Sequence, residues 1–195
     1  DLGGTVEDQG DAFGDLGVLF ILIVILVYIV MATQFESLLF PFIIMFTIPF
    51  AFTGVFLALW MTSTPLSLIA LIGAIMLVGI VTKNGIVMVD YMNLLVERGS
   101  GVFDAVIAGG KSRLRPVLMT SFTTILGMLP LAIGTGAGSE TWQPMGIAVI
   151  GGLTCSTLLT LFIIPALYSV FVNRSQRKEK EKLARLSAEH QASVH

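Results

Sequence analysis

Charge is scarce in this chain. Of its 195 residues only 12% are Asp, Glu, Lys or Arg, while 55% are hydrophobic; a soluble domain carries about 25% charged residues. No Lys or Arg precedes Lys83. Histidine is confined to His190 and His195 at the polar C-terminal end, so no Ser–His pair can form inside an apolar stretch, which excludes an intramembrane serine protease. Only Asp90 lies near the interior of an apolar run, so the apposed aspartates of an intramembrane aspartyl protease are missing. No stretch carries an arginine at every third position, as a voltage sensor requires. There is no GxxxxGK[ST] phosphate loop, so ATP hydrolysis is not encoded here. No metal-ligand spacing is present either, and no cofactor or nucleic-acid partner is expected. The one cysteine, Cys155, sits in an apolar run; it can form no intrachain disulfide and reads as a small packing residue.

What the chain has instead is long hydrophobic runs, with a mean hydropathy of +0.90. A membrane-crossing helix needs about 20 predominantly apolar residues. The runs at 17–33, 38–60, 66–95, 116–134 and 144–172 meet that length or approach it. The expected fold is therefore all-α: a polytopic membrane helix bundle of five transmembrane helices plus a short cytoplasmic amphipathic helix. Residues 1–16 are acidic and Gly-rich and read as a linker entering the membrane. The opening DLGGTVEDQG has no initiator Met and no signal-peptide character, which suggests the C-terminal piece of a longer polypeptide. Pro49 is expected to kink the second span, and that span, rich in Phe, Ile and Leu, is expected to face lipid more freely than the third and fifth. Val102, Phe103, Val106 and Ile107 follow a helical spacing that predicts the amphipathic surface helix before Pro116. Residues 173–195 form a polar tail with pairs such as Glu181 and Arg185, and a fraying, solvated helix is expected there. Ala148, Gly152, Ser156 and Thr160 recur every four residues on the fifth span, and Gly73 and Gly79 thin the third. Such small residues let helices approach closely, so both spans are expected to pack against protein.

The bases set an orientation. Arg98, Lys111, Arg113 and Arg115 follow the third span, and six more of the eleven bases lie between Arg174 and Arg185. Both groups must lie on one side, because two spans separate them. The positive-inside rule makes that side cytoplasmic, and five spans then place the acidic N-terminus outside.

One base breaks the pattern. From Leu66 to Val89 the only ionisable side chain is Lys83. A charge inside a bilayer helix costs about 2.5–3.5 kcal/mol on insertion scales and usually serves a function. The bland alternative is a lysine whose stem lets its ammonium reach the interface. Asp90 lies seven residues on, about 10 Å along the helix, too far for a direct pair, and Glu36 is in a loop. Thr120, Ser121, Thr123 and Thr124 fall in the first half of the fourth span. Each alone is expected to bond its own backbone; together with a lysine they offer a polar chain for a proton. A lysine in this setting switches only if a carboxylate faces it, and the chain offers none, so the partner is expected from elsewhere.

Several long segments carry a resemblance: FESLLFPFIIMFTIPFAFTGV, GIVTKNGIVMVDYMN, RLRPVLMTSFTTILGMLPLAIGTGAGSE and the GG-containing last span. Over nearly all of residues 10–172 the chain resembles the C-terminal membrane half of resistance-nodulation-division (RND) efflux pumps of the hydrophobe/amphiphile, acriflavin-resistance-like branch. The resemblance implies a trimeric proton antiporter of the bacterial inner membrane, not an enzyme. Each protomer of such a pump has twelve spans in two halves, and the pump works with a periplasmic adaptor and an outer-membrane channel. It implies that Lys83 matches a relay lysine, Arg113 an arginine of the proton path and Thr120 a relay threonine. The paired relay aspartates belong to the N-terminal half of the pump and the drug-binding pockets to its periplasmic domains, neither of which this sequence contains. The expected function is therefore the proton-coupling membrane part of a multidrug exporter. The alternatives are an RND exporter of metal ions or lipids, or a non-transporting assembly subunit in which Lys83 is a structural ion-pair partner.

Overall fold

A backbone surrounded by hydrocarbon must satisfy its own hydrogen bonds, which leaves helices or closed barrels. In the computed structural model the chain takes the first course. The structure describes the backbone of residues 2–136 and 138–193 and the side chains of 8–136 and 138–174. The described elements are six helices: α1 (Leu2–Phe35), α2 (Leu39–Met45), α3 (Ile48–Met61), α4 (Leu68–Glu97), α5 (Val102–Ile133) and α6 (Ser139–Ser193). Taking α2 and α3 together, five stretches are long and apolar enough to cross a membrane: Asp8–Phe35, Leu39–Met61, Leu68–Glu97, Val102–Ile133 and Ser139–Arg174. The pairing of Glu181 with Arg185 and the expected fraying of the tail lie outside the residues whose side chains are described.

The boundaries have local causes. Glu36, with φ 47°, turns the chain after α1. The second span breaks at Phe46–Thr47 rather than bending at Pro49. Pro49 has no N–H and clashes with the carbonyl four residues back, so the helix stops ahead of it and restarts with Pro49 in the first turn of α3, where a missing N–H costs little. The Thr47 hydroxyl donates to the Ile44 carbonyl at 2.6 Å across this break. Ser67 caps α4, its hydroxyl accepting from the Ala70 N–H at 3.2 Å. Gly134 ends α5 in the left-handed region, φ 74°, the usual way a glycine closes a helix.

Pro116 was expected to open the fourth span, but no helix begins there. Helix α5 runs through it without a break, so Val102–Arg115 is helical but is not a separate surface element. Ser112, Leu114, Arg115 and Pro116 are all exposed, so the carbonyl that loses its donor at the proline lies on a turn water can reach. Only part of the expected apolar face is used: Val102 is buried, while Phe103 is 70% and Ile107 41% exposed.

Helix α6 is the central post, lying along α3, α4 and α5. The four-residue repeat is borne out: Ala148, Gly152, Ser156 and Thr160 are all buried. The α3–α6 crossing is the tightest. A Cβ on Gly54 would lie against Cys155 Cβ and 2.7 Å from the Gly151 carbonyl oxygen. One on Gly151 would strike Ala58 Cβ, and one on Gly152 would strike Leu77. The core around this crossing holds Ala51, Val55, Leu77, Val81 and Leu153. A second core at the other end joins Met31, Ile44, Met88, Met92, Ile164 and Tyr168. Of the two glycines expected to thin the third span, Gly73 packs tightly on Met145, but Gly79 meets nothing.

The second span is exposed only slightly more than the third and fifth, whose most apolar windows are each 50% buried. In its most apolar window the second span has 44% of its residues buried, against 6% for the first span and 11% for the fourth. The small residues Ala51, Gly54 and Ala58 on α3, not its Phe and Leu content, decide where it packs. Gly151→Val should therefore push α3 from α6 and lower stability by about 1–3 kcal/mol, the usual cost of overpacking. Gly127→Ala, where a Cβ meets nothing, should be neutral or slightly stabilising. Thermal unfolding of the purified protein in detergent checks the pair; equal midpoints would contradict this account of the crossing.

Candidate functional site

Lys83 lies midway along the described length of α4 and is exposed. It opens into a groove of about 350 Å³ between α1 and α4, lined by Leu26, Val27, Val30, Met31, Gly79, Thr82, Ile86 and Val87. Among the described residues no acid lines this groove. The absence of a side chain at Gly79, one turn before the lysine, helps keep it open. Helix α1 rests only lightly against α4, so nothing fills the space beside the ammonium. Asp90, the nearest carboxylate along the helix, is also exposed, and Glu36 lies exposed at the α1–α2 turn.

Beside the lysine sits Thr82, only 4% exposed, with its hydroxyl buried and without a hydrogen-bond partner. A buried polar group left unpaired costs about 1–3 kcal/mol. Thr82 thus adds an unspent donor to the wall of the groove. Nothing in the sequence singled it out, because most span threonines behave otherwise. Thr120 donates to the Pro116 carbonyl at 3.0 Å, Thr123 to Met119 at 2.8 Å and Thr124 to Thr120 at 2.9 Å. These three hydroxyls close on their own helix and do not form the chain toward Lys83 that their clustering suggested.

Ser121 is the exception among the four. It is buried and shares a 2.8 Å hydrogen bond with Thr157 on α6. This bond joins α5 to α6 in a mostly apolar layer with Leu118, Phe122, Ile125 and Leu158. Thr157 follows Ser156 of the four-residue repeat, which is the one sequence signal that places it on the buried side of α6.

Arg113 lies far from both. Its guanidinium carbon sits 4.6 Å from the centroid of the Tyr91 ring, and its Nε is buried with no hydrogen-bond partner. The next turn of α4 carries a further cross-link: the Tyr168 hydroxyl on α6 donates to Asn93 Oδ1 at 2.6 Å. The three residues expected to act together are therefore distributed. Lys83 faces the α1 side of α4, Thr120 is exposed on α5 and bonded to its own backbone, and Arg113 lies against α4 two turns beyond Lys83. Among the described residues no hydrogen bond joins any two of them. Neither is there a cluster of His, Cys, Asp and Glu fit to hold a metal ion.

The geometry allows one buried hydroxyl pair to be weighed directly. Ser121→Ala strands Thr157 in the bundle and should cost about 1 kcal/mol, in the range of interhelical hydrogen bonds in membranes. Adding Thr157→Val should cost less than the sum of the two single changes. A double-mutant cycle on detergent unfolding checks this; strict additivity would show that the hydroxyls do not cooperate.

Comparison with known proteins places these features. The sequence profile described as the AcrB/AcrD/AcrF family matches residues 1–172. The swarming motility protein SwrC of Bacillus subtilis is 39% identical over 179 residues, covering 91% of this chain and 17% of that protein. The cobalt-zinc-cadmium resistance protein CzcA of Cupriavidus metallidurans is 38% identical over 179 residues, covering 92% and 16%. The multidrug resistance protein MdtC of Erwinia tasmaniensis is 44% identical over 156 residues, covering 79% and 15%. Among solved structures, a crystal structure of a heavy metal efflux pump superposes with a TM-score of 0.78 at 32% identity, covering 86% of this chain and 17% of that one. The chain thus spans about a sixth of the length of these relatives.

Proposed function

We propose that this chain, which belongs to the AcrB/AcrD/AcrF family of RND transporters, supplies five membrane spans of a proton-driven multidrug exporter and that Lys83 is the cation of its proton relay. The observation that carries this reading is Lys83 itself: a charged side chain on an apolar span, opening into a groove with no acid. A charge so placed calls for a carboxylate from outside the chain, and the relatives are about six times longer. Protonation of that carboxylate would release the lysine, and its ionisation would draw the lysine back. Each change of charge favours a different placement of α4 against its neighbours. Arg113 and Thr120 belong to the same proton path, Arg113 at its cytoplasmic end. The working unit is a homotrimer of the full-length pump in the bacterial inner membrane, with a periplasmic adaptor and an outer-membrane channel as partners.

A second reading is export of metal ions. Its support is the likeness to the cobalt-zinc-cadmium resistance protein and to the heavy metal efflux pump. The identity to the multidrug resistance protein is higher, over a shorter stretch, and favours organic substrates. Cells carrying the full-length pump, challenged in parallel with lipophilic dyes and with zinc or cobalt salts, separate the two.

The orientation is tested by labelling. In a background with Cys155 replaced by Ala, a cysteine at Glu140 should react with an impermeant thiol reagent added from the periplasmic side. One at Lys111 should react only after the cells are opened. Both positions are exposed in the structure, so protection reports the membrane and not the fold. The reverse pattern would overturn the assignment from the bases.

The relay is tested at Lys83 in the full-length pump. Lys83→Ala should abolish export while protein level stays near wild type, because a stranded carboxylate can neutralise by binding a proton. Lys83→Arg keeps the charge but cannot release its proton. If the lysine cycles between charged and neutral, Arg should be as inactive as Ala; a fixed counter-charge would leave partial transport. Loss of protein in Lys83→Ala points to the structural ion-pair reading, and wild-type export by both variants removes the relay.

A further inference from the structure

Tyr91, Met92 and Asn93 are consecutive residues of α4, and each engages a different group on a neighbouring helix. Tyr91 presents its ring to Arg113 of α5, with the guanidinium carbon 4.6 Å from the ring centroid. Met92 lies against Gly109 of α5, where an added Cβ would come within 2.6 Å of Met92 Cγ. Asn93 accepts the Tyr168 hydroxyl of α6 at 2.6 Å. Gly109 precedes Arg113 by one turn on the same face of α5, so the close approach at Gly109 is what brings the guanidinium within reach of the ring.

We infer that Tyr91 is a positioning residue for Arg113, its ring face holding the guanidinium against the helix that carries Lys83. The proposal rests on the reading of Arg113 as part of the proton path. Arginine stays charged in a protein, and its Nε here is buried with no hydrogen-bond partner, so no acceptor fixes the head through that nitrogen. The charged groups of the same stretches, Asp90, Glu97 and Arg98 on α4 and Asp104, Lys111 and Arg115 on α5, are all exposed. A ring face attracts a cation without taking its proton and without the fixed fork geometry of a carboxylate. It therefore holds the guanidinium while letting it slide. Lys83 and Tyr91 are eight residues apart on one unbroken helix, about 12 Å along its axis. Any shift of α4 that accompanies a change of charge at Lys83 carries the ring with it and moves it relative to Arg113, so the two charged positions are linked mechanically through α4.

The test uses the full-length pump in proteoliposomes and measures proton-driven substrate transport, with protein level and trimer formation followed alongside. Tyr91→Phe and Tyr91→Trp keep the ring face and should transport within about twofold of wild type, whereas Tyr91→Leu should lose about tenfold in maximal rate with little change in KM. Tyr91→Phe carrying one, two or more ring fluorines keeps the size and shape of the side chain while draining the ring face. Transport should fall in step with fluorination, a result that packing alone does not give, and this series stands in if the Leu variant fails to assemble. A wild-type rate in Tyr91→Leu, or indifference to fluorination, overturns the inference. Arg113→Ala, measured in the same series, separates the two levels. If it transports normally, the reading of Arg113 as a path residue fails and with it the role of the ring. If it is impaired while the Tyr91 variants are normal, the proton-path reading stands and only the positioning role falls.

Discussion

Close backbone approach between α3 and α6 is the contact the rest of the bundle depends on. Hydrocarbon gives apolar side chains no reason to prefer one another over lipid, so helices associate in a membrane through packing and hydrogen bonds. Gly54, Gly151 and Gly152 lack the Cβ atoms that would otherwise collide at the crossing of the two helices. This fixes α6 beside α3, and α4 and α5 then lean on the two remaining sides of α6. Helix α1 has no such contact. It touches α2 and α4 only lightly, and the groove at Lys83 is the space this leaves.

That arrangement explains where charge is tolerated. The bundle's two cores contain no ionisable side chain apart from Tyr168, and Tyr168 has its hydroxyl bonded to Asn93. Lys83 avoids both cores by facing the loosely packed side of α4. It lines a groove together with Ile86, Val87 and side chains of α1, so the tight crossing does not bear the cost of desolvating it. Arg113 is placed on the same principle, against the Tyr91 ring toward the C-terminal end of α4 rather than in a core.

Much of this was legible from residue types. The five long apolar helices, Lys83 as the lone charge between Leu66 and Val89 and the buried four-residue repeat on α6 all follow from composition and spacing, because a charge or a small residue stands out against an apolar background. What was not legible has one physical origin. In spans this uniformly apolar there is no polar face to show which side meets protein, so nothing in the Phe-rich second span shows how much of it packs against its neighbours. The role of Ala51, Gly54 and Ala58 becomes visible only once Gly151 and Gly152 are set opposite them. Proline misled in two ways. At Pro116 the helix continues because the freed carbonyl lies on an exposed turn, and at Pro49 it breaks three residues early because Thr47 can bridge the gap to Ile44. Neither outcome can be read from the proline alone.

The hydroxyls carry the sharpest lesson for reading a proton path. Thr120, Ser121, Thr123 and Thr124 look equivalent in sequence, yet three donate to their own helix and one crosses to Thr157. A donor committed to the carbonyl of its own preceding turn needs a change of rotamer before it can pass a proton onward. Thr120 can therefore serve as a relay group only in a state of the pump in which its bond to Pro116 is broken. Thr82 has no such bond to break and already lines the groove that holds Lys83. Of the span threonines described, it is the one whose hydroxyl lies closest in sequence to the ammonium and is uncommitted. An acid entering that groove from the rest of the protomer would meet a cation and a free hydroxyl on adjacent residues of one helix. The lysine would set the charge of that acid, and the hydroxyl, after a rotation about one bond, would be available to set its orientation.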